Sequence, residues 1–198
     1  ETELTLTGIV ALHDEIRPDA QEAISFLKEA GIQTWMVTGD NKENAISAAY
    51  HTGIINRNVT PRFIKIEQPE QAREVIRELL DSVKSQYQME SNPLSYSRGK
   101  TINNRCKYAL ILGGDTFDIL YKDKYLEANF IFLCSLAYSV IAYRFSPEQK
   151  AKLASLIKRR FPDQPIVLAV GDGLNDSMMM QTAHVGIELR INPNSLPS

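Results

Sequence analysis

Apolar positions in this chain gather into short dense runs, and the stretches between them repeat at helical spacing. "LTLTGIVAL", Leu4 to Leu12, alternates and then turns apolar, which predicts a strand entering a core. Ala20, Ala23, Ile24, Leu27 and Ala30 share one face of a helix predicted over Arg17 to Gly31, with Pro18 near its first turn. Ile32 to Val37 then predicts a buried strand closed by "TGD", and "NKENAISAAYHTG" a second helix ended by Gly53. "RFIKI" predicts a short strand and "PEQAREVIRELLDSVKSQ" a helix. Ser91 to Arg105, polar with Pro and Gly, predicts a mobile loop.

The second half continues the alternation. "KYALILGG" and "VIAYRF" predict strands, and "FIFLCSL" between them lies on a helix. Phe130 to Tyr143 is the most apolar stretch, but it is shorter than the roughly 20 residues that span a bilayer. It predicts a buried helix end running into a strand. "SPEQKAKLASLIKRRF" predicts a helix opened by Ser146 and Pro147. "IVLAV" predicts a buried strand, Asn175 to Ala183 a short helix, "VGIEL" a final strand, and residues 191–198 a tail.

Strands that are apolar throughout and alternate with helices imply an α/β fold, a parallel sheet covered on both faces in the three-layer, Rossmann-like manner. Ligands of such sheets bind beyond the carboxyl ends of the strands. That rule puts "TGD" and "GDGLND" on one edge. Composition adds mainly exclusions. A formal net charge of -2 gives no electrostatic case for nucleic acid or an anionic membrane surface as partner. Two cysteines, Cys106 and Cys134, make no disulfide framework and lack metal-ligand spacing, which suits a reducing compartment. The chain opens on Glu1 without signal-peptide character, as a piece of something larger would.

Asp172 and Asp176 sit four apart across a turn into a helix, where both can face the crevice. Carboxylate oxygens of this kind suit Mg²⁺, whose shell is completed by water and substrate phosphate. Gly171 and Gly173 would let the backbone approach a bulky anion. Thr38 and the amides after Gly39 lie at a helix N-terminus, which favours negative charge. Lys150 adds a compact positive charge. Together these groups describe a phosphoryl site. Blander roles stand beside them: Asp40 or Asn41 as helix caps, Lys150 on a solvated face, "IKRRF" as cations at a helix C-terminus, and Met178, Met179 and Met180 as core packing. His13, His51 and His184 are isolated.

"TGDN", "RFSPEQK" and "VGDGLND", in that order, resemble the phosphorylation domain of P-type ATPases, within the haloacid-dehalogenase-like superfamily. Trp35 before "MVTGD", "YALILGGDTF", "CSLAYSVIAYRFSPEQK" and "MMMQTAHVGIEL" are similar to the type-four, phospholipid-flipping branch. The resemblance implies that residues 1–190 are the C-terminal part of such a domain, with an insert at about 56–107. It implies Mg²⁺ on Asp172, with Asp176 holding the metal's surroundings and Asn175 bonding phosphoryl oxygens or metal-bound water. Thr38 and Gly39 would contact the transferred phosphoryl, and Lys150 would neutralise it. Asp14, Arg17, Asp40 and Arg144 match positions around the ATP ribose and phosphates. Implied partners are the nucleotide-binding, actuator and transmembrane domains of a parent protein, a lipid substrate and an accessory subunit. The implied location is a cytosolic domain of an integral membrane protein.

The family's nucleophile, the aspartate of "DKTGT", does not occur in the chain. "GGDTFD" follows the threonine motif, and the family order puts the nucleophile before it; Asp14 lacks the following threonine. An aspartyl-phosphate route needs that carboxylate. The expectation is therefore a fragment inactive alone, whose sheet lacks the nucleophile strand. "VGIELRINPNSLPS" departs from the "VGVGISG"-like ending. That departure keeps open a regulatory pseudo-pump module, fused to another enzyme such as a nucleotide cyclase. A free-standing phosphatase of the same superfamily is the third reading.

Overall fold

Cys106–Gly113 holds one charged side chain, Lys107, in eight residues, and a segment so apolar is stable only when both its faces are covered. The structure, a computed structural model, describes residues 7–8, 16–87, 106–160 and 165–190. In it this segment is a central strand. Tyr108, Leu110 and Leu112 point into one core, and Ala109 and Ile111 into a second on the opposite face. All five are fully buried.

The described elements run α1 (Ala20–Glu29), β1 (Met36–Val37), α2 (Lys42–His51), β2 (Thr60–Ile64), a 3-10 turn (Pro69–Gln71), α3 (Ala72–Gln86) and β3 (Cys106–Gly113). They continue as α4 (Gly114–Lys122), α5 (Lys124–Leu136), β4 (Ala137–Tyr143), α6 (Pro147–Arg160), β5 (Leu168–Gly171), α7 (Leu174–Thr182) and β6 (Val185–Glu188). Four strands form a parallel sheet in the order β1-β4-β3-β2, and β5 and β6 form a separate parallel pair. The larger core lies under α3, α4, α5 and α6, and the smaller one under α2. This is the expected three-layer α/β arrangement. No described helix is long and apolar enough to cross a membrane.

Local chemistry explains most boundaries. Asn41 caps α2 by accepting from the Asn44 amide at 2.9 Å, and Gly53 takes a positive φ of 75° just past the helix. Asp123 separates α4 from α5: its carboxylate accepts from the Tyr125 and Leu126 amides and also from Arg73 of α3 at 2.7 Å. The helix α4 is absent from the sequence reading, because "GGDTFDILYK" has little helical signal before that cap. Lys28 ties α1 to the sheet. Its ammonium donates to the Gly53 and Ile54 carbonyls at 2.6 and 2.8 Å and to the Tyr138 hydroxyl at 3.2 Å.

Several expectations need correction. Ile32 to Val37 is not a buried strand; only Met36–Val37 pairs, and the segment is half-buried at best because β4 is its single partner. "IVLAV" likewise is not buried: Ile166 is 81% exposed, and Leu168 and Val170 are exposed on the two-stranded sheet. The methionines of α7 are not core, since that helix has no buried residue and Met178 is exposed. The helix α1 forms but buries none of its apolar face fully; Ile24 packs on the smaller core while Phe26 is exposed. The strand expected over Leu4 to Leu12, the loop from Ser91 to Arg105 and the tail 191–198 lie outside the described residues.

Two measurements test this description. Leu110→Ala leaves a cavity in the larger core and should lower unfolding free energy by about 2–5 kcal/mol in urea titration. Burial pulls the Lys28 ammonium down from 10.5 to about 8. The unfolded chain therefore binds more protons between those values, and folding gains stability as pH rises from about 8 towards 10.5 and loses it as pH falls through about 8. Thermal midpoints of the native chain, relative to Lys28→Met, should climb across that window.

Candidate active site

All six described strands are parallel to their partners, and the turns after β1, β4 and β5 carry the sequence motifs. The turn after β1 is laced to the turn after β4 by backbone bonds. Thr38 N donates to Ala142 O, Phe145 N to Thr38 O, and Arg144 N to Asp40 O, each at 2.9 Å. Arg144 accommodates this with a positive φ of 51°, a left-handed conformation that non-glycine residues seldom adopt. Such strain persists where the surroundings over-determine it. The Thr38 hydroxyl accepts from the Asp40 amide at 3.1 Å, which leaves its own proton free to donate outward. Asp40 does not cap α2, since Asn41 holds that position. The Asp40 carboxylate and Gly39 are exposed beside the helix start.

From Arg144 the chain passes into α6 through a reciprocal cap. Ser146 Oγ accepts from the Gln149 amide at 3.2 Å, and Gln149 Oε1 accepts from the Ser146 amide at 2.9 Å. One residue on, Lys150 Nζ donates to Asp176 Oδ1 at 2.8 Å. The two side chains are 9% and 14% exposed, so this is a largely dehydrated ion pair rather than a solvated surface contact. Asp176 lies in the first turn of α7, where its charge also meets the positive end of the helix. A Cβ on Gly171 would fall 2.3 Å from Asp176 Cβ. Gly171 thus makes room for the aspartate itself rather than for an incoming anion, contrary to the expectation. Gly173 is open, with only the Asn175 amide at 4.0 Å from a built Cβ.

The other candidates scatter. Asp172 and Asn175 are exposed at the entrance to α7. Arg17 pairs with Asp19 at 3.3 Å before α1. Asp14 lies outside the described residues. Two of the three cations of "IKRRF" have specific partners: Lys158 donates to Thr182 O and Arg160 to the buried Glu127, each at 2.7 Å, so α6 is fastened to α7 and α5. His51 bonds within its own helix and His184 to the Val167 amide. No group of three or more His, Cys, Asp or Glu poised for a metal exists among the described residues. A hard cation could still use Asp172 as one carboxylate ligand, because Mg²⁺ commonly takes one or two carboxylates and completes its shell with phosphate and water.

Gln149 was missed by the sequence reading, although "SPEQ" holds the Ser-x-x-Gln spacing of a capping box. Its Nε2 donates to Gly114 O at 3.0 Å and to Asp118 Oδ2 at 2.8 Å. The "GGDTFD" segment, set aside as a nucleophile, is therefore joined to the helix that carries Lys150.

Residues 1–89 match the haloacid dehalogenase-like hydrolase family. A phospholipid-transporting ATPase of Schizosaccharomyces pombe is 33% identical over 94% of this chain. Phospholipid-transporting ATPase VB of Homo sapiens is 28% identical over 94% of it. This chain is a relative of the phospholipid-transporting ATPases. A guanylate cyclase of Toxoplasma gondii is also 29% identical over 96% of the chain. The chain spans 14%, 13% and 4% of the lengths of these three relatives. The resemblance carried by "TGDN", "RFSPEQK" and "VGDGLND" thus extends through nearly all of this relative of the ATPases, and its α/β fold agrees with it.

The ion pair makes its own prediction. Lys150→Met strands a dehydrated carboxylate and should cost about 3 kcal/mol of stability. Adding Asp176→Leu should recover most of that loss in urea titration, as removing both charges leaves nothing unpaired.

Proposed function

We propose that the chain is the C-terminal part, residues 1–190, of the phosphorylation domain of a phospholipid-transporting P-type ATPase. The observation that carries this reading is the dehydrated Lys150–Asp176 pair, six residues from the strained turn that holds Thr38. Phosphoryl transfer needs positive charge and hydrogen-bond donors fixed in place before charge develops. Lys150 supplies the charge, and Asp176 keeps its ammonium from swinging into water. Thr38 offers a hydroxyl proton, and the amides at the start of α2 and α7 offer helix-end donors. Mg²⁺ would be held by Asp172 and the surroundings of Asp176, and it would supply charge neutralisation at the phosphates of ATP.

The nucleophilic carboxylate would come from sequence outside this chain. Each of β1 and β5 has one paired neighbour among the described residues. A strand inserted between them would join the two sheets and bring its carboxyl end beside Thr38 and Asp172. The half-buried β1 and the exposed Leu168 and Val170 favour such a partner. In the parent, the aspartyl-phosphate would drive lipid movement through nucleotide-binding, actuator and transmembrane domains, with an accessory subunit. The chain itself would face the cytosol.

A second reading is favoured by the Toxoplasma gondii guanylate cyclase match: a regulatory flippase-like module joined to a nucleotide cyclase. Acid-quenched labelling of the full-length protein with γ-³²P-ATP separates the two. The first predicts a Mg²⁺-dependent, hydroxylamine-sensitive label that falls at least about 100-fold in Asp172→Asn and in Lys150→Ala. A folded protein that binds Mg²⁺ and nucleotide but takes up no label belongs to the second.

A further inference from the structure

The capping box needs only the Oε1 of Gln149, and a glutamate would serve that purpose equally well. The donor end of the amide explains the choice. Its two Nε2 protons are directed at Gly114 O and Asp118 Oδ2, while Oε1 receives the Ser146 amide. A carboxylate can only accept and an amide N–H only donate, so this environment fixes the amide's orientation. Gly114 is constrained from the other side. A Cβ there would lie 2.4 Å from Arg144 O and 2.6 Å from Gln149 Oε1. Only a glycine lets the β3–α4 turn approach both the strained Arg144 and the first turn of α6 so closely. Gln149 is 9% exposed, and both donors of its side-chain amide are used inside the protein.

We propose that Gln149 is a positioning residue for Lys150, and that Gly114 and Asp118 make the β3–α4 turn the element that sets it. Lys150 starts one residue later in the same turn, and its amide bonds to Ser146 O at 3.0 Å. A shift of Gln149 therefore swings the base of the lysine that must reach Asp176 over 2.8 Å. The role is specific to the amide: Gln149→Glu keeps the cap but sets acceptor against acceptor at both Asp118 Oδ2 and Gly114 O. The catalytic meaning rests on the phosphoryl reading of Lys150 and Asp176; the positioning itself does not.

Two readouts keep these apart. In the 198-residue chain, with ¹⁵N-labelled lysine, the Lys150 ammonium should give a signal protected from solvent exchange, identified by its absence in Lys150→Ala. Gln149→Glu should abolish that protection, and Gln149→Glu with Asp118→Asn should restore part of it by giving the new carboxylate a donor at one of its two clashing contacts. Protection that survives Gln149→Glu overturns the proposal, as does a double variant that refolds to the native melting temperature without regaining protection. In the full-length protein, Gln149→Glu should slow label formation about tenfold, leave the KM for ATP within about twofold, and be partly rescued by Asp118→Asn. If Lys150→Ala silences the label while Gln149→Glu does not, the positioning role fails and the phosphoryl reading stands. If the unmodified protein takes up no label, the phosphoryl reading fails and the ammonium signal still decides the positioning.

Discussion

Two sheets that share no strand pairing among the described residues are joined through packed helices, with a dehydrated charge pair at the junction. Lys150 leaves α6, which packs on the four-stranded sheet, and Asp176 leaves α7, which packs on the two-stranded one. Burying either charge alone would be costly, so each is tolerated because the other is present. Lys158 adds a second fastening by donating to Thr182 O near the far end of both helices. The relative placement of the sheets is thus set by contacts between helices rather than between strands. That makes Lys150 a structural link between the two sheets.

The same economy appears at the turn after β4. Arg144 adopts its left-handed backbone while bonding Asp40, and its carbonyl crowds the space a side chain at Gly114 would need. Three turns from distant parts of the sequence therefore meet through backbone atoms, which hold geometry more firmly than flexible side chains do. Thr38 and Lys150, the side chains to which the proposed function gives phosphoryl contacts, project from this framework. Rigid support of this kind is what electrostatic preorganisation requires.

The sheet was legible because its interior strands obey one rule throughout: apolar on both faces, as in β3 and β4. Helix ends were legible where a side chain does the capping, as Asn41 does for α2, or where glycine takes a positive φ, as at Gly53. The rule misled at β5, because an apolar run reports what a strand is suited to pack against, not what lies beside it. Leu168 and Val170 are apolar and exposed for that reason. In the site, the motifs pointed to Lys150 and Asp176, but not to their contact, since one-dimensional spacing carries no distance across 26 residues. Gly171 was misread because the demand for a small residue came from a neighbour's side chain, not from a ligand. The contact of Gln149 with Asp118 was illegible for a related cause, since a hydrogen bond between two separate helices leaves no periodic mark, although "SPEQ" does show the cap itself.

The separation of β1 from β5 along the chain also has a kinetic side. The four-stranded sheet is built largely from neighbours joined by one crossover, whereas β1 and β5, each with one unpaired edge among the described residues, come from near opposite ends of the described sequence. Loop closure over such a span is entropically slow compared with local helix and hairpin formation. A strand bridging them would consequently be among the last parts of the molecule to lock. Until then the open ladders of β1 and β5 would be among the points at which a nascent chain is exposed to pairing with the wrong neighbour.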